Sequence, residues 1–434
     1  MTETTGRHGR PAAARPPARA ATPGAGATDG DAETASDPAV ADAAGPPVAV
    51  FDGHNDTILR AELAARAGRP RDLALEDTTP PGAPGGWRLR RLDIDLPRAR
   101  RARLAGGLFA MFTPTGLARA DGGGAGMADD IAGGDASAAG SGAAGDEAAP
   151  VPDPADAALM AAGEVDQARA LAFTMALFAR LRRLARQNPE GVAIAADRAG
   201  IDAAAAAGRL AIVPHIEGAE CIDTDLAALE ILHAAGLRSL GPVWSRPNAF
   251  GHGAPMAAQP DLDPGEGLTP AGRALVSTCE AMGILVDCAH LTEKGFWDVA
   301  ATTDQPLVAS HSNAHAICPS ARNLTDRQLD AVAERGGLVG LNFHVAFLRP
   351  DCRHNRDTGL DVMLRHLDHL LGRLGEEGVA LGSDFDGCLL PREIDDVTGL
   401  QRLVGAMRRA GYGEALIARI ARDNWLSLLG RVIG

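Results

Sequence analysis

Val48-Ala-Val-Phe-Asp-Gly-His-Asn-Asp56 is the stretch around which the chain is organised. It begins as a short, apolar, β-branched run, too brief for a helix, and reads as a buried strand. It ends in polar residues, with Asp52, His54 and Asp56 at alternate positions. Alternate strand residues point the same way, so His54 and Asp56 can aim an imidazole and a carboxylate at one point. A His-x-Asp pair at a strand end is a starting point for a metal site. By itself it more readily fits a turn with a capping Asp.

Working outward, seven further apolar runs fall near 106–112, 211–216, 239–244, 284–288, 306–310, 337–343 and 379–383. Amphipathic helical segments lie between most of them, among them 225–235, 269–282 and 326–334. Thr269-Pro270 and Thr292-x-x-Gly295 read as helix starts. Eight strands alternating with helices predict an α/β chain with a parallel sheet, and eight is the number that closes a (β/α)₈ TIM-like barrel. The alternative, an open doubly wound sheet, has no GxGxxG and no P-loop in its favour.

Composition narrows the function. The net charge of the 434 residues is −14, which argues against nucleic acid as a partner. No apolar run is long enough to span a bilayer and no secretory h-region is visible, so a cytoplasmic protein without a membrane partner is expected. The six cysteines form no CxxC and are expected to be reduced. Residues 1–46, rich in Ala, Pro, Gly and Arg, are expected to be a disordered tail. Residues 47–434 are expected to be one catalytic domain, interrupted by a low-complexity insertion at about 120–156.

Barrel enzymes place their chemistry at the C-terminal ends of the strands. Those ends carry His54 and Asp56, then Glu217, His290, His311 and Asp384. Each has a bland reading as a turn or cap residue, but six such groups at the appropriate ends of five strands are hard to assign to chance. Imidazoles with Asp and Glu suit Zn²⁺, and also Mn²⁺, Co²⁺ or Fe²⁺. Five ligands exceed one tetrahedral site, so two metals sharing Glu217 is the natural arrangement, and such pairs do hydrolytic chemistry.

The chain resembles the membrane (renal) dipeptidase family, peptidase family M19, in its bacterial branch. The resemblance runs from about Val48 to the C-terminus. Its marks are Asp52-Gly-His-Asn-Asp56, Asp93-Ile-Asp-Leu-Pro97, Gly106-Gly107, Ile216-Glu-Gly218 and Gly267-Leu-Thr-Pro-x-Gly272. Further marks are Asp287-x-x-His290, Ser310-His-Ser312, Ala321-Arg-Asn-Leu324 and Gly382-Ser-Asp-Phe-Asp-Gly387.

The resemblance implies a binuclear zinc dipeptidase with a (β/α)₈ fold. His54 and Asp56 would hold one zinc, His290 and His311 the other, with Glu217 bridging. Asp384 would be the catalytic acid and base, and Arg322 would grip the substrate's carboxylate. Dipeptides, including those with a C-terminal D-residue, are the expected substrates, and a homodimer is the expected assembly. One departure stands out. Trp244 occupies the place of a family His that contacts the substrate carbonyl. Arg246, Asn248 and His252 are the candidates to replace that donor. The change leaves open a related amidohydrolase acting on another amide or lactam, and a barrel without catalysis is the third reading. His215, His315 and His344 are expected to play supporting roles near the site. His366 and His369, on a helix, are expected to be solvated.

Overall fold

The strand that begins at Val50 is flanked on one side by the second strand of the chain and on the other by the last. The computed structural model describes residues 45–79, 89–117, 163, 165–258 and 265–434. All of them fall in the compact unit Asp37–Gly434. The expected tail, up to residue 44, and the insertion at 120–156 lie outside the described residues.

The strands are β1 (Val50–Asn55), β2 (Leu104–Phe112), β3 (Val192–Ile194), β4 (Leu210–Glu217) and β5 (Ser239–Gly241). They continue as β6 (Leu285–Val286), β7 (Val308–Ala309), β8 (Leu338–Leu341) and β9 (Val379–Leu381). Every pairing between them is parallel. One sheet runs β1-β2-β4-β5-β6 and a second runs β7-β8-β9. Two parallel bridges join them, Asp287 to Val308 and Asn55 to Phe385. The eight strands therefore close into a ring, the TIM-like barrel that the alternation of runs predicted. β3 is outside the ring. It pairs with Leu210–Ile212, the lower half of the β4 edge whose upper half, His215–Glu217, pairs with β5.

Side chains alternate across the ring as the pleat demands. Phe51, Leu108, Ala211, Val213, Leu285, Val308, Leu338 and Ala380 pack with one another inside the barrel. Their neighbours Val50, Phe109, Ile212, Val286, Ala309, Val339 and Leu381 pack outward against the helices. The C-terminal helix Asn424–Val432 plugs the lower mouth. Its Trp425 is fully buried and its indole N–H donates to the Leu381 carbonyl at 2.8 Å. A Cβ on Gly53 would lie 2.4 Å from the Trp425 ring, so β1 can pass the plug only as glycine.

The helix starts read from Thr269 and Thr292 are present, each hydroxyl accepting from the backbone N–H three residues on, at 3.0 Å. With the lower mouth filled by apolar residues, polar groups are left for the upper rim. The chain puts them there on the residues that follow each strand.

Candidate metal centre

β4 shows how the site is placed. Ala211 and Val213 face the apolar interior, and the next residues of the same parity are His215 and Glu217. Glu217 therefore rises from the barrel axis, with its carboxylate among three imidazoles. Its Oε1 lies 2.7 Å from His290 Nε2, 3.6 Å from His311 Nε2 and 3.6 Å from His54 Nε2. On β1, Gly53 and His54 both face inward, which regular alternation forbids. The β1–β2 register breaks between Asp52 and Asn55, and that irregularity turns His54 into the site. His54 Nε2 then lies 3.6 Å from Asp56 Oδ2.

The loop after β9 supplies Asp384. Its backbone is left-handed, with φ 61°, a strained setting for a residue with a side chain. Its N–H donates to the His54 carbonyl at 3.0 Å, and its Oδ2 accepts from Asn342 Nδ2 at 3.0 Å. A Cβ on Gly387 would fall 2.2 Å from Asp56 Oδ2 and 2.3 Å from Asp384 Oδ1. Only glycine lets the two carboxylates approach there.

Two imidazoles are aimed by neighbours. His290 Nδ1 is paired with the Ser245 hydroxyl at 2.9 Å, and His311 Nδ1 with the Ser310 hydroxyl at 2.7 Å. Ser310 in turn donates to Asp287. Both Nε2 atoms are thus turned toward Glu217 and lie 3.1 Å apart. Such outer partners fix the ring orientation of metal-binding histidines.

The electrostatics are those of a site short of positive charge. Burial alone would depress His54, yet Glu217, Asp56 and Asp384 around it push the imidazole up to about 10. Burial, reinforced by repulsion from Asp56 and Asp384, pushes Glu217 well up. Asp384 is pushed up to about 6, by burial first and by Asp56 next. His290 and His311 are held well down by burial and by the cationic Arg322 and His54.

Among the described residues, several buried polar atoms also lack hydrogen-bond partners: both ring nitrogens of His54, Oδ1 of Asp56, and Nε and Nη1 of Arg322. Orphaned polar atoms of this kind are costly unless a ligand satisfies them. Among the described residues three sets of ligand atoms lie within 4.8 Å of one another: Glu217/His290/His311, His54/Asp56/Asp384 and His54/Asp287/His311. The donors are imidazole nitrogens and carboxylate oxygens, which suit divalent first-row cations. Asp287 is the weakest of these candidates. Its two oxygens already accept from Ala289 N, Ser310 N and the Ser310 hydroxyl, so it supports His311.

All six rim residues singled out in the sequence thus meet in one cluster. A cavity of about 50 Å³ opens onto it, lined by Asp56, Glu217, Trp244, His290, Phe347 and Asp384 among others. A roomier cavity of about 460 Å³ lies against Phe51 and Leu426, at the plugged end, and holds none of these groups. Arg322 is buried beside the cluster, with Nη2 3.3 Å from His290 Nε2.

The residues expected to replace the missing donor behave differently. Trp244 lines the cavity, and its indole N–H has no partner among the described residues. Arg246 is not available: it is buried, and its guanidinium donates to Glu220, Thr115 and the Thr113 carbonyl at 2.7–2.8 Å. Asn248 is also committed, donating to the Pro242 carbonyl and accepting from Phe250 N. His252 is half-buried on the same loop.

The expectation for His366 is wrong. Its ring is fully buried, one nitrogen paired with the Leu348 carbonyl at 2.9 Å and the other accepting from Ala314 N at 3.2 Å. His369 is half-buried and paired with Asp326 at 2.7 Å. His215 pairs with the Ser239 hydroxyl and presents its ring to the edge of His54. Residues missed in the sequence are the aiming groups Ser245 and Asn342. Neither has a local signal, because each acts on a partner more than forty positions away.

Comparison with known proteins agrees with this geometry. The family model for membrane dipeptidases (peptidase family M19) matches residues 46–433. The dipeptidase AC, a metallopeptidase of family M19, is 41% identical, with a TM-score of 0.72 over 90% of this chain and 100% of that one. A metallopeptidase from Rhodobacter sphaeroides, solved with a phosphinate mimic of the dipeptide L-Ala-D-Ala, is 42% identical, with a TM-score of 0.72 over 89% of this chain and 100% of that one. An uncharacterized protein in the pqqA 5′ region of Klebsiella pneumoniae is 48% identical over 223 residues, which are 51% of this chain and 82% of that protein. With the profile matching nearly all of the described barrel, the chain belongs to the membrane dipeptidase family, peptidase family M19.

Proposed function

We propose that this chain is a binuclear zinc dipeptidase whose substrates include dipeptides with a C-terminal D-residue. The observation that carries the proposal is Glu217, whose Oε1 is within 3.6 Å of the imidazoles of His54, His290 and His311. His54 and Asp56 would hold one ion, His290 and His311 the other, and Glu217 would be shared. Bound there, two divalent ions would polarise the scissile carbonyl and activate a water.

The chain's own groups do the rest. Asp384, pushed up to about 6, can take a proton and return it to the leaving amine near neutral pH. Asn342 holds its carboxylate in place. Arg322, with Nε and Nη1 free and buried, is built to take a carboxylate in a bidentate grip. Trp244 offers a neutral N–H beside the reacting carbonyl, where Arg246 cannot reach. Phe112, Trp244, Met256 and Phe347 give the cavity an apolar wall for substrate side chains. The Rhodobacter sphaeroides relative holds an L-Ala-D-Ala mimic, and this supports the D-residue.

The same reading takes residues 47–434 as one catalytic domain. The six free cysteines support a reducing, cytoplasmic setting.

The test is metal analysis combined with a substrate panel. About two zinc per chain are expected. L-Ala-D-Ala and L-Ala-L-Ala should be hydrolysed faster than N-acetyl-alanine, and chelation should abolish turnover until metal is restored. Faster hydrolysis of the N-acyl compound would transfer the assignment to another amidohydrolase. A chain that neither binds metal nor cleaves any amide would defeat it.

A further inference from the structure

A cavity of about 330 Å³ lies at the plugged end of the barrel, beside the first residues of β2 and β4. Ala49, Leu96, Ala99, Leu104 and Leu210 give it an apolar floor. Arg100, Arg103, Arg209 and Arg422 stand around that floor, and no acidic group lines it among the described residues. Ala105, Ala205 and Arg422 also line the cavity of about 460 Å³ against Phe51 and Leu426. The two cavities are therefore lobes of one groove. The net charge of the chain is −14, so a hollow ringed by cations runs against the composition.

Most of these cations are left uncompensated. The guanidinium groups of Arg100 and Arg103 have no hydrogen bond or ion pair among the described residues. Arg209 Nη1 donates to the Pro189 carbonyl at 3.4 Å, and its Nε is buried without a partner. Arg422 is paired with Asp423 at 2.8 Å, and in the second lobe Arg198 is paired with both oxygens of Asp202. Local backbone sets two of the free groups in place. A Cβ on Gly191 would lie 2.9 Å from Arg100 Nη2, so that guanidinium reaches across bare backbone. Arg103 follows the helix Leu96–Arg101 with φ 58°. The helix Arg198–Ala206 ends next to it on Gly208, with φ 65°, and glycine is the ordinary residue for this left-handed position. An arginine there carries a backbone cost that glycine avoids.

We propose that this groove binds a nucleoside di- or triphosphate. The phosphates lie among Arg100, Arg103 and Arg209, and the base lies in the lobe walled by Phe51, Ile201 and Leu426. Planar guanidinium forks match phosphate oxygens two at a time, and several unpaired cations call for a ligand with several negative charges. Each lobe falls within the range of about 300–1,000 Å³ usual for small-molecule sites. A phosphate group alone would leave the apolar lobe unfilled. The groove shares no residue with the metal centre, so this site stands whether or not the dipeptidase reading does.

The experiment is isothermal titration of the full chain with ADP and with ATP, in excess magnesium so that the nucleotide does not strip other cations. Both should bind in the micromolar range. Adenosine and inorganic phosphate, each alone, should bind at least about ten-fold more weakly, because each fills only one lobe. Arg103→Gly should weaken ADP about ten-fold or more, the worth of one charged hydrogen-bonding group. Its melting temperature should not fall, because glycine suits the left-handed turn. Arg322→Gln, at the other end of the barrel, should bind ADP as the parent does. Absence of binding at millimolar ADP, or equal affinity in Arg103→Gly, would overturn the site. Affinity lost in Arg322→Gln would place the anion at the metal centre and overturn it too. Inorganic phosphate binding as tightly as ADP would reduce the groove to an adventitious ion only.

Discussion

Asp384 and Asp386 are two residues apart, both in the left-handed region, both buried, and their surroundings are opposite. Asp386 belongs to a closed network. Its Oδ2 accepts from the Thr57 hydroxyl at 2.8 Å and its Oδ1 from Asp93 N at 2.9 Å, while its own N–H donates to Asp93 Oδ2 at 2.7 Å. Nearby, Arg98 donates to Asp95, to Asp396 and to the Leu92 carbonyl, at 2.6–2.8 Å. Asp384 belongs to the open cluster, where His54, Asp56 and Arg322 keep orphaned polar atoms. Both regions take many charges out of water, which costs several kcal/mol per ion unless partners compensate. The network satisfies its oxygens with internal hydrogen bonds, even though burial raises Asp386 and pushes Asp93 up to about 7, and so is scaffold. The cluster does not, and under the proposed function its missing partners are the metal ions and substrate.

Changing one oxygen on each side is the sharpest way to break this contrast. Asp384→Asn should lower kcat by about 10²–10⁴, the usual worth of a general acid or base, while metal content holds. Its melting temperature should not fall, since the amide oxygen can still accept from Asn342 while the repulsion from Asp56 is removed. Asp386→Asn should do the reverse, lowering the melting temperature with a smaller effect on kcat. Kinetics, metal analysis and calorimetry on the two variants decide it. The contrast fails if both lose stability and activity in the same proportion.

The arginines give the next largest effects. Arg98→Met would leave Asp95 buried without its ion-pair partner and Asp396 with Arg91 as its remaining cation, so a loss of about 3–5 kcal/mol in denaturant unfolding is expected. Arg322→Lys keeps the charge and loses the fork, at a cost of about 1.5–3 kcal/mol in substrate binding. That loss should appear as a KM roughly ten- to a hundred-fold higher, with unfolding unchanged. An Arg322→Lys variant with normal KM would place the substrate carboxylate elsewhere.

How much of this was legible in the chain depends on the distance over which each feature is made. The ring strands were legible because a strand buried on both faces reads as a short apolar run, as in Ala211-Ile-Val213. β3 was not, because Val192-Ala-Ile194 pairs with only part of one neighbour and directly follows a 21-residue helix. The six rim residues were legible by their place at strand ends, which the barrel brings together wherever they fall in the sequence. The partners that saturate other polar groups were not. Arg246 looked free until the fold brought Thr113 and Thr115 to it from more than 130 positions away. His366 looked like a solvated helix residue, yet the Leu348 carbonyl receives it inside the core. The reciprocal Asp93–Asp386 pair spans 293 positions. Periodicity reports which face is buried, and it is silent on which polar groups will be satisfied there.

The smallest effect tests the open cluster through protons alone. His54 is pushed above the ordinary imidazole range, to about 10, by Glu217, Asp56 and Asp384, against its own burial. A group whose folded value is raised contributes stability that is complete below its unfolded value and is lost as pH rises through the folded one. In metal-free protein His54 therefore stabilises the fold fully below about 6.5, and that contribution decays on the way to pH 10. The useful window is roughly pH 6.5–7.5, below the range where free thiols begin to ionise. There the metal-free chain should lose on the order of 1 kcal/mol per pH unit relative to the metal-loaded chain. In the loaded chain a cation takes the place of that proton and favours the ionised carboxylates, so the loss should vanish. The closed network is common to both forms and cancels in the difference. Parallel curves of melting temperature against pH, with and without metal, would show that the proton on His54 and the metal do not compete, and the cluster would then lose its distinction from the network beside it.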